Sequence, residues 1–271
     1  MLTPGQPHVH IVLAVALALL LAGLTLRAVR KDRREYGRFK RYRSTVRRQA
    51  TFRKWLIESF LVFGGASVVI LALTWQFIPL MLADVETWAA TRWWRDLMLA
   101  GGMTASVIVW AAGAAIAIGA VGAIWLARAS DEVPAIGDIS AILPRNRQEL
   151  RWGAALSINA GVVEELMFRL ALPTLVFGIT GSALIAVGAS ILIFGALHLY
   201  QGVAGVIGSM LIGLVLMVVY LASGSIVLAI VVHAAIDLRS LVLIPMVVFG
   251  VHRKPGRRRT SAVPPSPVLP R

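Results

Sequence analysis

Several stretches of this chain run for 18 residues or more with almost no charged side chain, and that feature decides what it can fold into. A soluble domain cannot cover so much apolar length, whereas a helix crossing a bilayer requires it. Closed β-barrels are the other spanning solution, but their short alternating segments are absent here. The expected fold class is therefore all-α, a polytopic transmembrane helical bundle. Composition agrees, with 58% hydrophobic and 15% charged residues. The chain has no cysteine, so disulfides and thiolate-bound metals are excluded.

The formal net charge of +14 would suggest nucleic acid, but its placement argues against that partner. Basic residues cluster beside apolar runs, the pattern of positive-inside topology and of attraction to anionic lipid. Residues 9–26 form a first span with only His8 and His10 at its start, so a cleaved signal peptide is not expected. Thirteen basic residues follow between Arg27 and Lys54, opposed by Asp32 and Glu35. This segment, 27–54, is expected to be a cytoplasmic loop, with the N-terminus outside.

A second span over 55–83 leads outward, with Trp55 and Trp75 as interfacial anchors. Glu58 lies near its inner end and is given no catalytic role. A short external loop, Asp84 to Arg95, precedes a Gly- and Ala-rich third span over 97–127. Residues 1–127 thus make a variable N-terminal region, and 128–151 a polar cytoplasmic connector. Four further spans are expected over 152–177, 183–199, 203–222 and 225–250, with turns at Phe177–Ser182, Gln201-Gly202 and Ser223-Gly224. The tail, 251–271, is basic and proline-rich and is expected to be disordered and cytoplasmic. Seven spans, N-out and C-in, satisfy every basic cluster.

Within the core of 152–250, the sequence Gly161-Val-Val-Glu-Glu-Leu-Met-Phe-Arg169 sets three ionisable groups in an apolar run. Even low estimates put a charge at the bilayer centre at about 2.5–3.5 kcal/mol, so such groups pair, face water or do chemistry. Glu165 and Arg169 are four apart and share a helix face, which suits an ion pair. Glu164 points about 100° away and has no cation one turn distant. A buried, unpaired glutamate suits a general base or a proton carrier. His198 and Glu164 are equidistant from Gly181, so two straight helices meeting at that turn return them to similar depth. His233 lies nine residues past Gly224, roughly 13–14 Å along a helix. His233 and Asp237 again share a face.

The ordered set Glu164-Glu165-x-x-x-Arg169, Phe194-x-x-x-His198 and His233-x-x-x-Asp237 resembles the CPBP (Abi) family of CAAX prenyl-protein endopeptidases and bacteriocin self-immunity proteins. The resemblance spans about residues 150–250. It implies a glutamate-type intramembrane endopeptidase of a membrane protein or peptide, in a multi-pass protein of the bacterial cytoplasmic membrane. Glu164 with His198 would activate water, Glu165 and Arg169 would pair to hold the helix, and His233 with Asp237 would stabilise the oxyanion. The prenyl-protein enzymes usually carry Asn where this chain has Asp237. An ionised Asp cannot donate a hydrogen bond, so His233 is the more secure donor.

The family has been described as metalloproteases, and Glu/His sets can hold zinc. No His-Glu-x-x-His or His-x-x-x-His occurs here, which favours a metal-free mechanism over a zinc one. The segment 27–54 offers anionic lipid, or an acidic segment of a partner, a basic surface. The competing classes are a proton-coupled transporter, for which inverted repeats are lacking, and a non-catalytic scaffold or immunity-type protein.

Overall fold

The computed structural model describes residues 4–103, 107, 122 and 140–252, and every regular element among them is helical. In the first half, α1 (Pro7–Arg30) runs on through a π-helical stretch, Lys31–Tyr36, into Gly37–Phe39. A second rod joins α2 (Thr45–Ser59), a π stretch at Phe60–Gly64, and α3 (Gly65–Thr74). Then come α4 (Phe77–Glu86) and α5 (Ala89–Ala100). In the second half, α6 (Arg147–Glu165) passes through a π stretch at Leu166–Ala171 into α7 (Leu172–Thr180). Next are α8 (Ala183–Ala196), a 3₁₀ turn at Leu199–Gln201, and α9 (Gly202–Ser223). The described fold ends with α10 (Ile226–Leu238), a π stretch at Arg239–Leu243, and α11 (Ile244–Val247).

Two of the turns use one chemical device. Gly181 and Gly224 take left-handed φ values of 67° and 65°, which glycine adopts without a side-chain penalty, and so stop α7 and α9. The serine after each glycine then caps the next helix: Ser182 Oγ accepts from the Ile185 N–H, and Ser225 Oγ from the Leu228 N–H. Asn146 caps α6 in the same way, accepting from the N–H groups of Gln148 and Glu149.

Among the described residues, four helices are long and apolar enough to cross a membrane: His8–Phe39, Thr45–Thr74, Leu199–Ser223 and Ile226–Val247. Ala183–Ala196 is a shorter apolar helix. The rod from Arg147 to Thr180, with Glu164, Glu165 and Arg169 in its middle, is not one of the four. It runs instead through the centre of the packing. α10, α2 and α8 lie against it, and α1 against its α7 end. Met167, Phe168, Ala171, Leu172 and Leu175 on it are all but inaccessible. Apolar side chains elsewhere point outward: Leu19 is 70% exposed and Val203 73%. Water would penalise such a surface, and lipid does not. The chain is an integral membrane protein built as an all-α bundle.

Three expectations for the first half need correction. The second span does not run unbroken over 55–83, because the rod begins at Thr45 and ends at Thr74, and α4 starts afresh at Phe77. Pro79 explains the break: it has no N–H to donate to the carbonyl of Trp75. Asp84 to Arg95 is mostly helix rather than loop, with α4 reaching Glu86 and α5 starting at Ala89. The basic segment 27–54 is also helical except over 40–44, in keeping with the good helix propensity of Lys and Arg. The expected third span, 97–127, lies outside the described residues beyond 103 apart from 107 and 122, as does the tail from 253 and much of the connector.

One of the thirteen bases is not at the surface at all. Arg48 is fully buried. Its Nε donates to Glu149 Oε2 at 3.0 Å, Nη1 to the Ala141 carbonyl at 3.0 Å and Nη2 to the Leu143 carbonyl at 3.1 Å. Its guanidinium also lies over the Phe39 ring, 4.4 Å from the centroid. Glu149 accepts in addition from the Arg145 backbone N–H and Asn146 Nδ2. Arg48 therefore pins α2 to the start of the rod that carries the motif glutamates. Removing one member of such a buried pair strands the other, at a cost of about 3–5 kcal/mol. Arg48→Met is expected to lower the thermal unfolding temperature of the detergent-solubilised protein well beyond Arg43→Ala, an exposed neighbour. Equal effects from the two would remove Arg48 from this role.

Candidate active site

The face of α6 that carries Glu165 is prepared by small residues. Gly153, Ser157 and Gly161 recur at four-residue intervals before Glu165 and Arg169, and all five are buried. Stacked small residues let another helix approach closely. A Cβ at Gly161 would fall 2.9 Å from Ala234 Cβ and 3.0 Å from the Ile230 carbonyl oxygen, both on α10. At Gly153 it would fall 2.8 Å from the Leu241 carbonyl oxygen. α10 is thus drawn against α6, and His233 is brought onto Glu165.

Glu165 is inaccessible, and its two oxygens face two different partners. Oε2 lies 3.0 Å from Arg169 Nε, the one-turn pair expected from the spacing. The contact is an ion pair rather than an aligned hydrogen bond, and Nη1 and Nη2 of Arg169 are likewise buried without acceptors. The guanidinium rests over the Phe194 ring at 5.3 Å. Oε1 accepts from His233 Nδ1 at 2.7 Å. That histidine contact was not legible in the helical spacing, because it joins residues 68 apart in sequence.

Glu164 is in a different situation. It is only partly buried, and its nearest ionic neighbour is His233 Nε2, 4.0 Å from Oε2 and beyond hydrogen-bond reach. Asp237 Oδ2 lies 3.8 Å from the same nitrogen. His233 therefore holds Glu165 with Nδ1 and turns Nε2 towards Glu164 and Asp237.

His198 sits just beyond the end of α8, at φ −100° and ψ 13°, rather than on the helix as expected. Its Nδ1 is 2.8 Å from the Phe194 carbonyl oxygen. A carbonyl only accepts, so Nδ1 carries the proton and Nε2 of the neutral ring is left as an acceptor. The Phe194 ring separates the two imidazoles, with centroids 4.9 Å from His198 and 6.4 Å from His233.

Glu164, His198 and Asp237 line one cavity of about 650 Å³. Its wall also includes Arg27, Trp55, Tyr200, Gln201 and Arg239, several of them at the end of the bundle that carries the basic residues. Glu165 and Arg169 are not part of that wall. Arg27, Tyr200 and Arg239 were missed from sequence; the only signal was their polarity at the ends of apolar helices. Among the described residues no three His, Cys, Asp or Glu side chains converge in the manner of a metal site.

Residues 146–239, the segment from the α6 cap to the end of α10, match the family model described as type II CAAX prenyl endopeptidase, Rce1-like. Searches of curated proteins and of solved structures found no match.

The close approach at Gly161 provides a test of how the site is assembled. Gly161→Val is expected to push α10 off α6, lower thermal stability and abolish any activity of the site. Gly188→Ala, on α8 with open space around a Cβ, is expected to leave both within experimental error. Normal stability of Gly161→Val would contradict the packing described.

Proposed function

We propose that this membrane protein, whose residues 146–239 are an Rce1-like domain of CAAX-type intramembrane endopeptidases, hydrolyses a peptide bond in a membrane-associated protein or peptide of the bacterial cytoplasmic membrane. The observation that carries the reading is the separation of the two adjacent glutamates. Glu165 is taken up by Arg169 and His233, while Glu164 faces a cavity shared with His198.

In this reading a water in the cavity hydrogen-bonds to Glu164 and His198 Nε2. Glu164 takes its proton as the oxygen attacks the peptide carbonyl carbon. The carbonyl electron pair moves to oxygen, and the tetrahedral anion accepts a hydrogen bond from His233 Nε2–H, available when that ring is protonated at both nitrogens. Collapse breaks the C–N bond, and the proton held by Glu164 passes to the departing amine. The products are a carboxylate and an amine, with water the only reactant consumed. Asp237, 3.8 Å from His233 Nε2, serves to orient and charge that ring. Glu165 fixes the ring from the other side, with Arg169 balancing its charge. The exposed bases of 34–53 suit anionic headgroups, so activity in vesicles is expected to rise with phosphatidylglycerol content over phosphatidylcholine alone.

The direct test compares membrane-protein fragments in cells carrying wild-type, Glu164→Gln or His198→Ala protein. Cleavage products should disappear in both variants while each still inserts. A cellular phenotype that survives both changes would overturn the protease reading in favour of a scaffold. On a purified substrate, His233→Ala is expected to lower kcat by about 10²–10³-fold, the usual cost of losing one oxyanion donor. Asp237→Asn is expected to stay within about tenfold of wild type, since the change removes a charge but not a donor. A loss at Asp237→Asn as large as at His233→Ala would make Asp237 a direct participant.

A further inference from the structure

Of the residues in the proposed mechanism, His198 alone stands off a helix, between the end of α8 and the 3₁₀ turn Leu199–Gln201. A helix fixes the direction of each Cα–Cβ bond, so a side chain on a turn needs other restraints. One is the bond between Nδ1 and the Phe194 carbonyl. The others are two rings: Phe194, with its centroid at 4.9 Å, and Tyr200, 6.0 Å away and within 29° of parallel to the imidazole. Tyr200 is itself held in place. Its hydroxyl accepts from Gln201 Nε2 at 2.9 Å, and Gln201 packs tightly on Gly205, where an added Cβ would fall 2.2 Å from Gln201 Cβ. Its ring also meets Tyr36, with centroids 5.3 Å apart and planes at 70°, the edge-to-face arrangement that ring quadrupoles favour.

Tyr36 closes the π stretch Lys31–Tyr36, which lies against that 3₁₀ turn. It is 3% exposed, and the Lys40 ammonium sits 4.8 Å from its ring centroid. With Phe39, Phe52 and Trp55 it forms an aromatic cluster against which Tyr200 packs. A run of ring contacts thus leads from the first half of the chain, through Tyr36 and Tyr200, to His198. We infer that Tyr200 is a positioning residue for His198, holding the imidazole so that Nε2 meets the attacking water, and that Tyr36 supports it from the first half of the chain. This deepens the endopeptidase reading and rests on it. A misplacement of about 1 Å can cost on the order of 10²-fold in rate, so an imidazole on a turn gains much from such a brace. Tyr36 lies outside residues 146–239 of the family match, so a segment beyond the matched domain contributes to the order of its site.

The test uses the full-length protein in detergent with isotope-labelled histidine, observed by NMR. Of its five histidines, the signals of His198 are those lost in His198→Ala. In wild type the neutral His198 ring should be a single tautomer, protonated at Nδ1, with its carbon-bound protons shifted upfield by the Tyr200 ring. Tyr200→Leu and Tyr36→Leu should reduce that shift and mix the tautomers, while Tyr200→Phe and Tyr36→Phe keep both as in wild type. Tyr200→Met, closer in volume, replaces Tyr200→Leu if that protein does not fold. Phe52→Leu, which thins the same cluster, should lower the unfolding temperature without moving the His198 signals. On a purified membrane protein whose cleavage in cells depends on Glu164, Tyr200→Leu should lower kcat about 10–100-fold at nearly unchanged KM, and Tyr200→Phe should restore it. Unmoved His198 signals in Tyr200→Leu overturn the assignment, and unmoved signals in Tyr36→Leu alone remove the first half of the chain from it. Signals moved as far by Phe52→Leu reduce Tyr200 to a packing residue. If the signals respond as expected but wild type cleaves nothing, the hydrolytic reading fails and the placement of the ring stands.

Discussion

A fully buried carboxylate with two partners holds the second half of this protein together. Glu165 meets Arg169 on its own helix and His233 on α10, so one side chain fixes both a helix and the register of its neighbour. Burying three ionisable groups is tolerable only when they answer one another, because each alone would face a large desolvation cost. The small residues at 153, 157 and 161 are the steric counterpart of that arrangement, since they bring α10 close enough for His233 to reach. The rest of the site follows from it. With Glu165 occupied, His233 turns Nε2 towards Glu164 and Asp237, and Glu164, one residue earlier and about 100° around the helix, is left on the wall of the cavity.

The same logic recurs at the other end of the rod. Arg48 is sealed between Phe39, Phe52 and the chain at 141–149, where it meets Glu149 and two carbonyls. Trp55 Nε1 and Lys54 both donate to Glu35, joining the ends of α2 and the first rod. The N-terminal region is thus bolted to the domain by polar contacts at the basic end, and by apolar packing of Leu13, Phe77 and Met81 against α7 further along.

What was legible in the sequence was what local geometry encodes. Four-residue spacing gave the Glu165–Arg169 pair and the divergence of Glu164 from it. The turns read at Phe177–Ser182 and Ser223-Gly224 marked helix ends that are found at Gly181 and Gly224, and the motif order pointed to the family whose model matches residues 146–239. Contacts between distant residues were not legible. Periodicity cannot say that His233 chooses Glu165, nor that Arg48, one base among thirteen, turns inward. Charge density read as loop was misleading, because Lys and Arg extend helices readily and a charged helix end can stand in water. Pro79 was the overlooked sign that the second span would break.

The division of labour between neighbouring glutamates is the claim on which the rest stands. It is tested most directly by unfolding purified Glu164→Gln and Glu165→Gln proteins alongside wild type, with peptidase activity read on the same samples. Glu165→Gln should lose about 3 kcal/mol or more of stability, as expected for a broken buried pair, and activity with it. Glu164→Gln should unfold like wild type and yet be inactive. Retained activity in Glu164→Gln, or a stability loss equal to that of Glu165→Gln, would contradict the assignment.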